Sequence, residues 1–120
     1  MIRAVQLPGD EPAILSFIWG LQTFENAFEP NRRLDPGFAD EHWADVRRQV
    51  AQRGAMFIAE NENGPVGWAF IVEEAGDLFV KESERRHGFI AELFVEASAR
   101  GQGHGRALIA DCEDWSRQGG

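Results

Sequence analysis

Hydrophobic residues recur every three or four positions in two stretches of the first half of the chain, which predicts two amphipathic helices. The first helix is predicted from Pro12 to about Phe28, behind an N-cap at Asp10, and Pro30 ends it. Its apolar face carries Ile14, Phe17, Ile18, Leu21, Phe24 and Phe28. The second helix is predicted from Asp40 or a neighbouring residue to Gly54, with a buried seam of Ala39, Trp43, Val46 and Val50.

Four stretches of alternating or nearly continuous apolar residues predict β-strands. The strands are Ile2–Leu7, Ala55–Glu60, Pro65–Glu74 and His87–Glu96. Asn63-Gly64, between the second and third strands, predicts a hairpin. A last helix is predicted from Gly103 or His104 to Arg117. The order is therefore β-α-α-β-β-β-α, and we expect one α/β (α+β) domain with a mixed sheet over residues 1–120.

The composition narrows the classes of partner. The 12 Lys and Arg residues against 20 Asp and Glu give a net charge of −8. Because nucleic-acid binding requires a basic face, we expect no nucleic-acid partner. The single cysteine, Cys112, excludes an internal disulfide and fits a reducing compartment. No apolar stretch approaches the roughly 20 residues of a membrane span. No signal peptide is recognisable either, so we expect a cytoplasmic protein without a membrane partner.

Three glycines alternate in the segment RGQGHGR (residues 100–106), between the last predicted strand and the last predicted helix. The first N–H groups of a helix have no partner within it and carry partial positive charge, so they bind anions. Glycines allow an anion to approach the main chain closely. The segment therefore predicts a phosphate or pyrophosphate site made by Arg100, Gly101, Gln102, Gly103, His104, Gly105 and Arg106.

Two common phosphate-binding motifs do not fit this segment. A dinucleotide site requires G-x-G-x-x-G after the first strand and an acidic residue about 20 positions later. Here the glycine spacing differs and the segment follows the fourth strand. A nucleotide P-loop requires G-K-[ST], and the only lysine, Lys81, lies elsewhere.

The segment resembles the acetyl-coenzyme-A signature of the GNAT superfamily of N-acetyltransferases. The signature R-x-x-G-x-G is present as Arg100, Gly103 and Gly105, directly after the strand ELFV and before RALI. The element order is also similar to that of the family over nearly the whole chain. The resemblance implies acetyl-CoA (coenzyme A) as co-substrate and direct attack on the thioester by a primary amine of a small molecule or peptide. It also implies that the pantetheine arm pairs with Leu93, Phe94 and Val95, and that an N–H near Phe94 or Val95 holds the oxyanion.

The sequence differs from the family pattern in one respect. Family members usually continue into a fifth strand, a fourth helix and further strands, whereas this sequence stops at Gly120. We therefore expect a fragment or a shortened form, and a homodimer through the open edge of the signature strand. The alternative function is a non-catalytic module that binds coenzyme A or another protein. Family members often use a tyrosine to protonate the thiolate, and this sequence has no tyrosine.

Acidic residues are the candidates for acid–base chemistry and for amine binding. Glu92 lies on the signature strand, where it could act as general base directly or through water, although alternation could turn its carboxylate away. Glu25 and Glu29 lie one helical turn apart and could attract a cationic amine, or form an ordinary charged helix face. His42, His87 and His104 do not have metal-ligand spacing, so we expect no metal.

Overall fold

The described residues form strands and helices in the order that the sequence predicts. The computed structural model describes residues 1–74, 81 and 87–118. The elements are β1 (Ile2–Ala4), α1 (Glu11–Asn26), α2 (Phe38–Arg53), β2 (Gly54–Asn61), β3 (Gly64–Glu74), β4 (His87–Val95) and α3 (His104–Gln118), and a short 3-10 helix (Ala97–Ala99) precedes the loop into α3. The predicted β-α-α-β-β-β-α order is confirmed.

The strands form one sheet in the order β1-β2-β3-β4, and each neighbouring pair is antiparallel. The expectation of a mixed sheet is therefore wrong for the described strands. The reason is that α1 and α2 together return the chain to β1 in the antiparallel direction, and β3 and β4 then follow as further antiparallel neighbours. This order leaves β4 at an edge of the sheet, with β3 on one side.

Helices cover both faces of the sheet, and each face has its own apolar core. On one face, α1 and α2 pack their buried residues against Ile58, Trp68 and Phe70. On the other face, Leu108 and Cys112 of α3 pack with apolar residues of β2, β3 and β4. Burial raises the pKa of the Cys112 thiol to about 11, so this cysteine is a core residue and stays protonated at neutral pH.

A β-bulge in β4 determines which face each of its side chains occupies. Phe70 of β3 pairs with Glu92, but the next residue, Ile71, pairs with Ile90, so Ala91 is an extra residue. Ile90 packs into the core under α3, and Ala91 packs into the core under α1 and α2. Glu92 also lies on the α1–α2 face, where it contacts α2. The bulge thus places two consecutive side chains on one face.

Asp10 occupies the N-cap position of α1, as expected, but its carboxylate does not cap the helix. It accepts a hydrogen bond from the backbone N–H of Gln6 at 2.7 Å and two from the Arg3 guanidinium at 2.7 and 2.9 Å. The residue is only 7% exposed, and pairing with Arg3 lowers the pKa of its carboxyl. Asp10 therefore fastens the start of α1 to β1. No helix in the described part of the chain is long and apolar enough to cross a bilayer.

Candidate functional site

The loop between β4 and α3 has left-handed backbone at two of its three alternate glycines. Gly101 and Gly103 have φ angles of +82° and +87°, in the region that favours glycine. Apart from the adjacent residues in the chain, no atom of the described residues lies within 4 Å of a Cβ built at Gly101 or Gly103, so the space above the loop is open. The first bond of α3 runs from the Ala107 N–H to the Gly103 carbonyl at 3.0 Å. The N–H groups of residues 104–106 therefore have no acceptor within the helix.

A cavity of about 360 Å³, the edge cavity, lies beside this loop at the free edge of β4, the edge that pairs with no other described strand. Its walls come from three elements: Leu21 and Phe24 of α1, residues 93–95 of β4, and residues 99–101 and 103–105 around the start of α3. Eight of the ten residues that the sequence assigns to the cofactor line this cavity. Gln102 and Arg106 lie in the same segment but outside the lining, and both are exposed.

Arg100 extends across the edge cavity. Its Nε donates a hydrogen bond to the carbonyl oxygen of Val95 at 2.9 Å. Its guanidinium carbon lies 5.8 Å from the ring centroid of Phe24 and 5.7 Å from that of Phe94. Both distances are within the range of cation–π attraction. The guanidinium therefore brings positive charge to the wall of a cavity that is otherwise largely apolar.

A second cavity of about 230 Å³, the acceptor cavity, adjoins the first. Leu21 belongs to the walls of both cavities, and Glu92 in the second cavity directly precedes the part of β4 that lines the first. The remaining wall of the acceptor cavity consists of Ile18, Gln22, Glu25, Arg32, Phe38 and His42. The two cavities are thus neighbours along β4, one largely apolar and one with several charged groups.

Glu92 and His42 form a pair in the acceptor cavity. The His42 Nε2 lies 2.8 Å from Oε1 of Glu92, and the hydrogen bond raises the pKa of His42 against the opposing effect of burial. The Glu92 side chain is 11% exposed and that of His42 is 28% exposed. The other carboxylate oxygen, Oε2, is buried and has no hydrogen-bond partner among the described residues. The Glu92 carboxylate lies on this face because Glu92 pairs with Phe70 of β3, whose side chain is in the core under α1 and α2.

The sequence interpretation missed His42. It lies 50 positions from Glu92, and nothing in the local pattern of the second helix distinguishes it from a solvated histidine. One signal was available: His42 lies one residue before Trp43 of the buried seam, so it flanks the face that packs on the sheet. The ring of Phe38, one turn earlier, stacks on His42 with centroids 5.4 Å apart.

Glu25 and Glu29 are both paired with Arg32. The Arg32 Nη2 lies 3.0 Å from Glu25 Oε2 and 3.2 Å from Glu29 Oε2. Glu25 lines the acceptor cavity, whereas Glu29 lies outside its lining. Arg32 Nε is buried and has no acceptor within the described part of the chain. Residues 1–74, 81 and 87–118 contain no group of three His, Cys, Asp or Glu side chains that could hold a metal ion.

Comparison with known proteins identifies relatives of this arrangement. Residues 18–120 match the model of the acetyltransferase (GNAT) family. A sequence comparison with curated proteins gives no match.

Solved structures with the same fold have low sequence identity to the chain. An acetyltransferase from Vibrio fischeri superposes with a TM-score of 0.74 at 17% identity, covering 100% of this chain and 88% of that one. A predicted acetyltransferase from Clostridium acetobutylicum, solved with acetyl-CoA, gives 0.72 at 16%, covering 98% and 73%. The aminoglycoside 6'-N-acetyltransferase of Acinetobacter haemolyticus gives 0.69 at 14%, covering 98% and 72%. At these identities the likeness is one of fold.

Proposed function

The chain belongs to the acetyltransferase (GNAT) family, and from that premise we propose that it transfers the acetyl group of acetyl-CoA to a primary amine of a small molecule or peptide. The observation that carries the proposal is the adjacency of two cavities along β4, which share Leu21. One has the features of a site for a long, phosphorylated thioester. The other has charged groups suited to an amine.

The residues around the edge cavity fit coenzyme A. The open loop at Gly101 and Gly103 and the N–H groups of residues 104–106 would hold the diphosphate, with positive charge from Arg100 and Arg106. The free edge at residues 93–95 would pair with the pantetheine arm. Bound there, the thioester supplies an activated acetyl group, and a backbone N–H near Phe94 or Val95 would hold the oxyanion.

The acceptor cavity would position the amine and remove its proton. We propose that the pair Glu92–His42 supplies the base, because it is the acid–base pair that lies next to the thioester-binding part of β4. Glu25 and Glu29 would attract a cationic amine. Their shared pairing with Arg32 limits this attraction, since one guanidinium already neutralises part of their charge.

The proposal is tested by measuring release of free thiol from acetyl-CoA with a panel of primary amines, together with calorimetric titration of coenzyme A. The expected result is thiol release that depends on the amine and whose rate saturates as the acetyl-CoA concentration rises. Binding without turnover would instead favour a non-catalytic module that binds coenzyme A, an alternative consistent with the absence of tyrosine from the sequence. Absence of both binding and turnover would refute the proposal.

We also propose that two copies pair through the free edge of β4 and that the protein is cytoplasmic. A long unpaired edge favours association, and Phe89 on this strand is 48% exposed. Sedimentation equilibrium over a range of protein concentrations tests the dimer. Coenzyme A would compete for residues 93–95 of the same edge, so a monomer mass at the highest concentrations without coenzyme A would contradict the dimer.

A further inference from the structure

We propose that His42 is the residue that takes the proton from the acceptor amine, and that Glu92 is a positioning residue that acts through His42. This assignment rests on the proposed acetyl transfer and goes beyond it by naming the atom: Nδ1 of His42.

The hydrogen bond between the two side chains fixes the tautomer of the imidazole. A carboxylate only accepts hydrogen bonds, so the short contact from His42 Nε2 to Glu92 Oε1, 2.8 Å, requires that Nε2 carries a hydrogen. In the neutral imidazole the lone pair is then on Nδ1. This is the state that a general base needs: one nitrogen is held by an acidic partner, and the other is free to accept a proton.

Accessibility distinguishes the two members of the pair. The His42 side chain is 28% exposed and that of Glu92 only 11%. Oε1 of Glu92 is already used by His42, and Oε2 is buried. Nδ1 of His42 is not buried and has no hydrogen-bond partner in the part of the chain that the structure describes. Nδ1 of His42 is therefore the unoccupied acceptor atom that an amine in the acceptor cavity can approach, since Oε2 of Glu92 is also unpaired but is buried.

The surroundings hold the ring in place and adjust its charge. Phe38 stacks on the ring at an interplanar angle of 19°. Glu92 and Asp45 both raise the pKa of His42, and burial lowers it. Glu25 and Arg32 line the same cavity and are paired with each other, which reduces the field of each at His42. A raised pKa makes His42 a stronger base, and only its neutral form can accept the proton. The rate is therefore expected to rise with pH through that pKa.

The step balances as follows. The amine nitrogen uses its lone pair to form the C–N bond to the acetyl carbonyl carbon. The C–S bond breaks, and its electron pair leaves with sulfur as thiolate. One N–H proton passes to Nδ1 of His42, which becomes imidazolium beside the Glu92 carboxylate. Loss of that proton to the thiolate or to solvent restores the starting state.

The test compares pH–rate profiles of kcat for the wild-type protein, His42→Gln and Glu92→Gln. His42→Gln is expected to lower kcat by about 10²- to 10⁴-fold and to remove the rising limb. Glu92→Gln keeps an oxygen for the Nε2 hydrogen but loses the charge. Glu92→Gln should therefore keep the rising limb of the profile but move it to lower pH, because the Glu92 charge that raises the pKa of His42 is gone. Its loss of kcat should be smaller than that of His42→Gln. His87→Gln, the same exchange outside both cavities, is the matched control and should leave the profile unchanged.

A retained limb in His42→Gln, or a larger loss in Glu92→Gln than in His42→Gln, would overturn the assignment and make Glu92 the base. A second measurement needs no variant. In the wild-type protein, ¹⁵N shifts of the neutral His42 ring should place its hydrogen on Nε2, and a hydrogen on Nδ1 would overturn the proposal. Failure of the proposed function is distinguishable from these results, because the wild-type protein would then release no thiol at any pH. That result would also overturn the assignment of His42.

Discussion

Substitution of Gly103 tests whether the loop between β4 and α3 requires its left-handed backbone. The φ angle of Gly103 is +87°, and apart from the adjacent residues in the chain no atom of the described residues lies within 4 Å of a Cβ built there. The cost of a side chain is therefore conformational and not steric. Left-handed backbone costs an ordinary residue about 1–2 kcal/mol, asparagine less, and β-branched residues more. The free energy of unfolding should fall in the order Gly103, Asn, Ala, Val.

Gly105 provides the matched control because it lies two residues later and does not have a positive φ. A Cβ there would contact Leu93 and Val95 at 3.9 and 4.0 Å, which are ordinary distances. Gly105→Ala should therefore be neutral or stabilise the protein by up to about 0.5–1 kcal/mol, the usual preference of a helix for alanine over glycine. Gly103→Ala and Gly105→Ala are thus expected to differ by about 2 kcal/mol.

Urea unfolding followed by circular dichroism measures this difference as a shift of the midpoint at constant slope. The reasoning is refuted if Gly103→Val unfolds at the same urea concentration as Gly105→Ala. That result would mean that the loop does not need the left-handed conformation, and the description of its open backbone as an anion site would lose its geometric basis.

Three further predictions concern the loop, the Asp10 ion pair and the contact of α1 with β4. Gly103→Glu should weaken coenzyme A binding, measured by calorimetry, at least about tenfold more than Gly103→Gln does. Only the glutamate would place a negative charge near the proposed diphosphate site, so equal affinities of the two variants would contradict the prediction. Pairing with Arg3 lowers the pKa of Asp10 below its usual 3.8, so the pair should stabilise the fold fully above pH 3.8 and lose its contribution as pH falls through the lowered pKa. In acid titrations, Asp10→Asn should therefore flatten the dependence of unfolding free energy on pH. An unchanged dependence would argue against the pair. In an ordinary helix, Gly→Ala stabilises the protein by about 1 kcal/mol. Gly20→Ala should instead lower the urea midpoint, because the new Cβ would lie 2.7 Å from the Phe94 ring. A raised midpoint would contradict the close contact.

The local pattern of the sequence predicts the elements well because each is determined by its own periodicity. The hairpin illustrates both the success and the limit. Two strands joined by a tight turn are predicted and confirmed, but the turn residues are Glu62 and Asn63, and Gly64 already pairs with Asn61. Gly64 still has a positive φ, +113°. The pattern therefore identified the need for glycine but assigned it to the turn and not to the first residue of the strand.

The candidate site is less predictable because it depends on contacts between distant parts of the chain. The glycine loop is local, and its two positive φ angles fall on residues of the type that adopts them at least cost. The partner of Glu92, in contrast, comes from a helix far earlier in the chain, and no periodicity links the two. The direction of the Glu92 side chain depends on which residue of β3 it pairs with, and the extra residue in β4 hides that pairing from a count of alternating positions. The pairing of Glu25 with Arg32 depends on where the loop after α1 returns.

The extra residue in β4 has a consequence for the tolerance of this strand to change. Ala91 interrupts the alternation of side chains between the two faces of the sheet. The alternation before Ala91 and the alternation after it are each set by pairing with β3. Ile90 and Glu92 already lie on opposite faces of the sheet, so deletion of that single alanine would leave a regularly alternating strand in which both side chains keep their present faces. The meeting of the acidic side chain with the imidazole is therefore set by the position of Glu92 opposite Phe70, whose ring lies in the core under α1 and α2, and not by the number of residues that precede it in the strand.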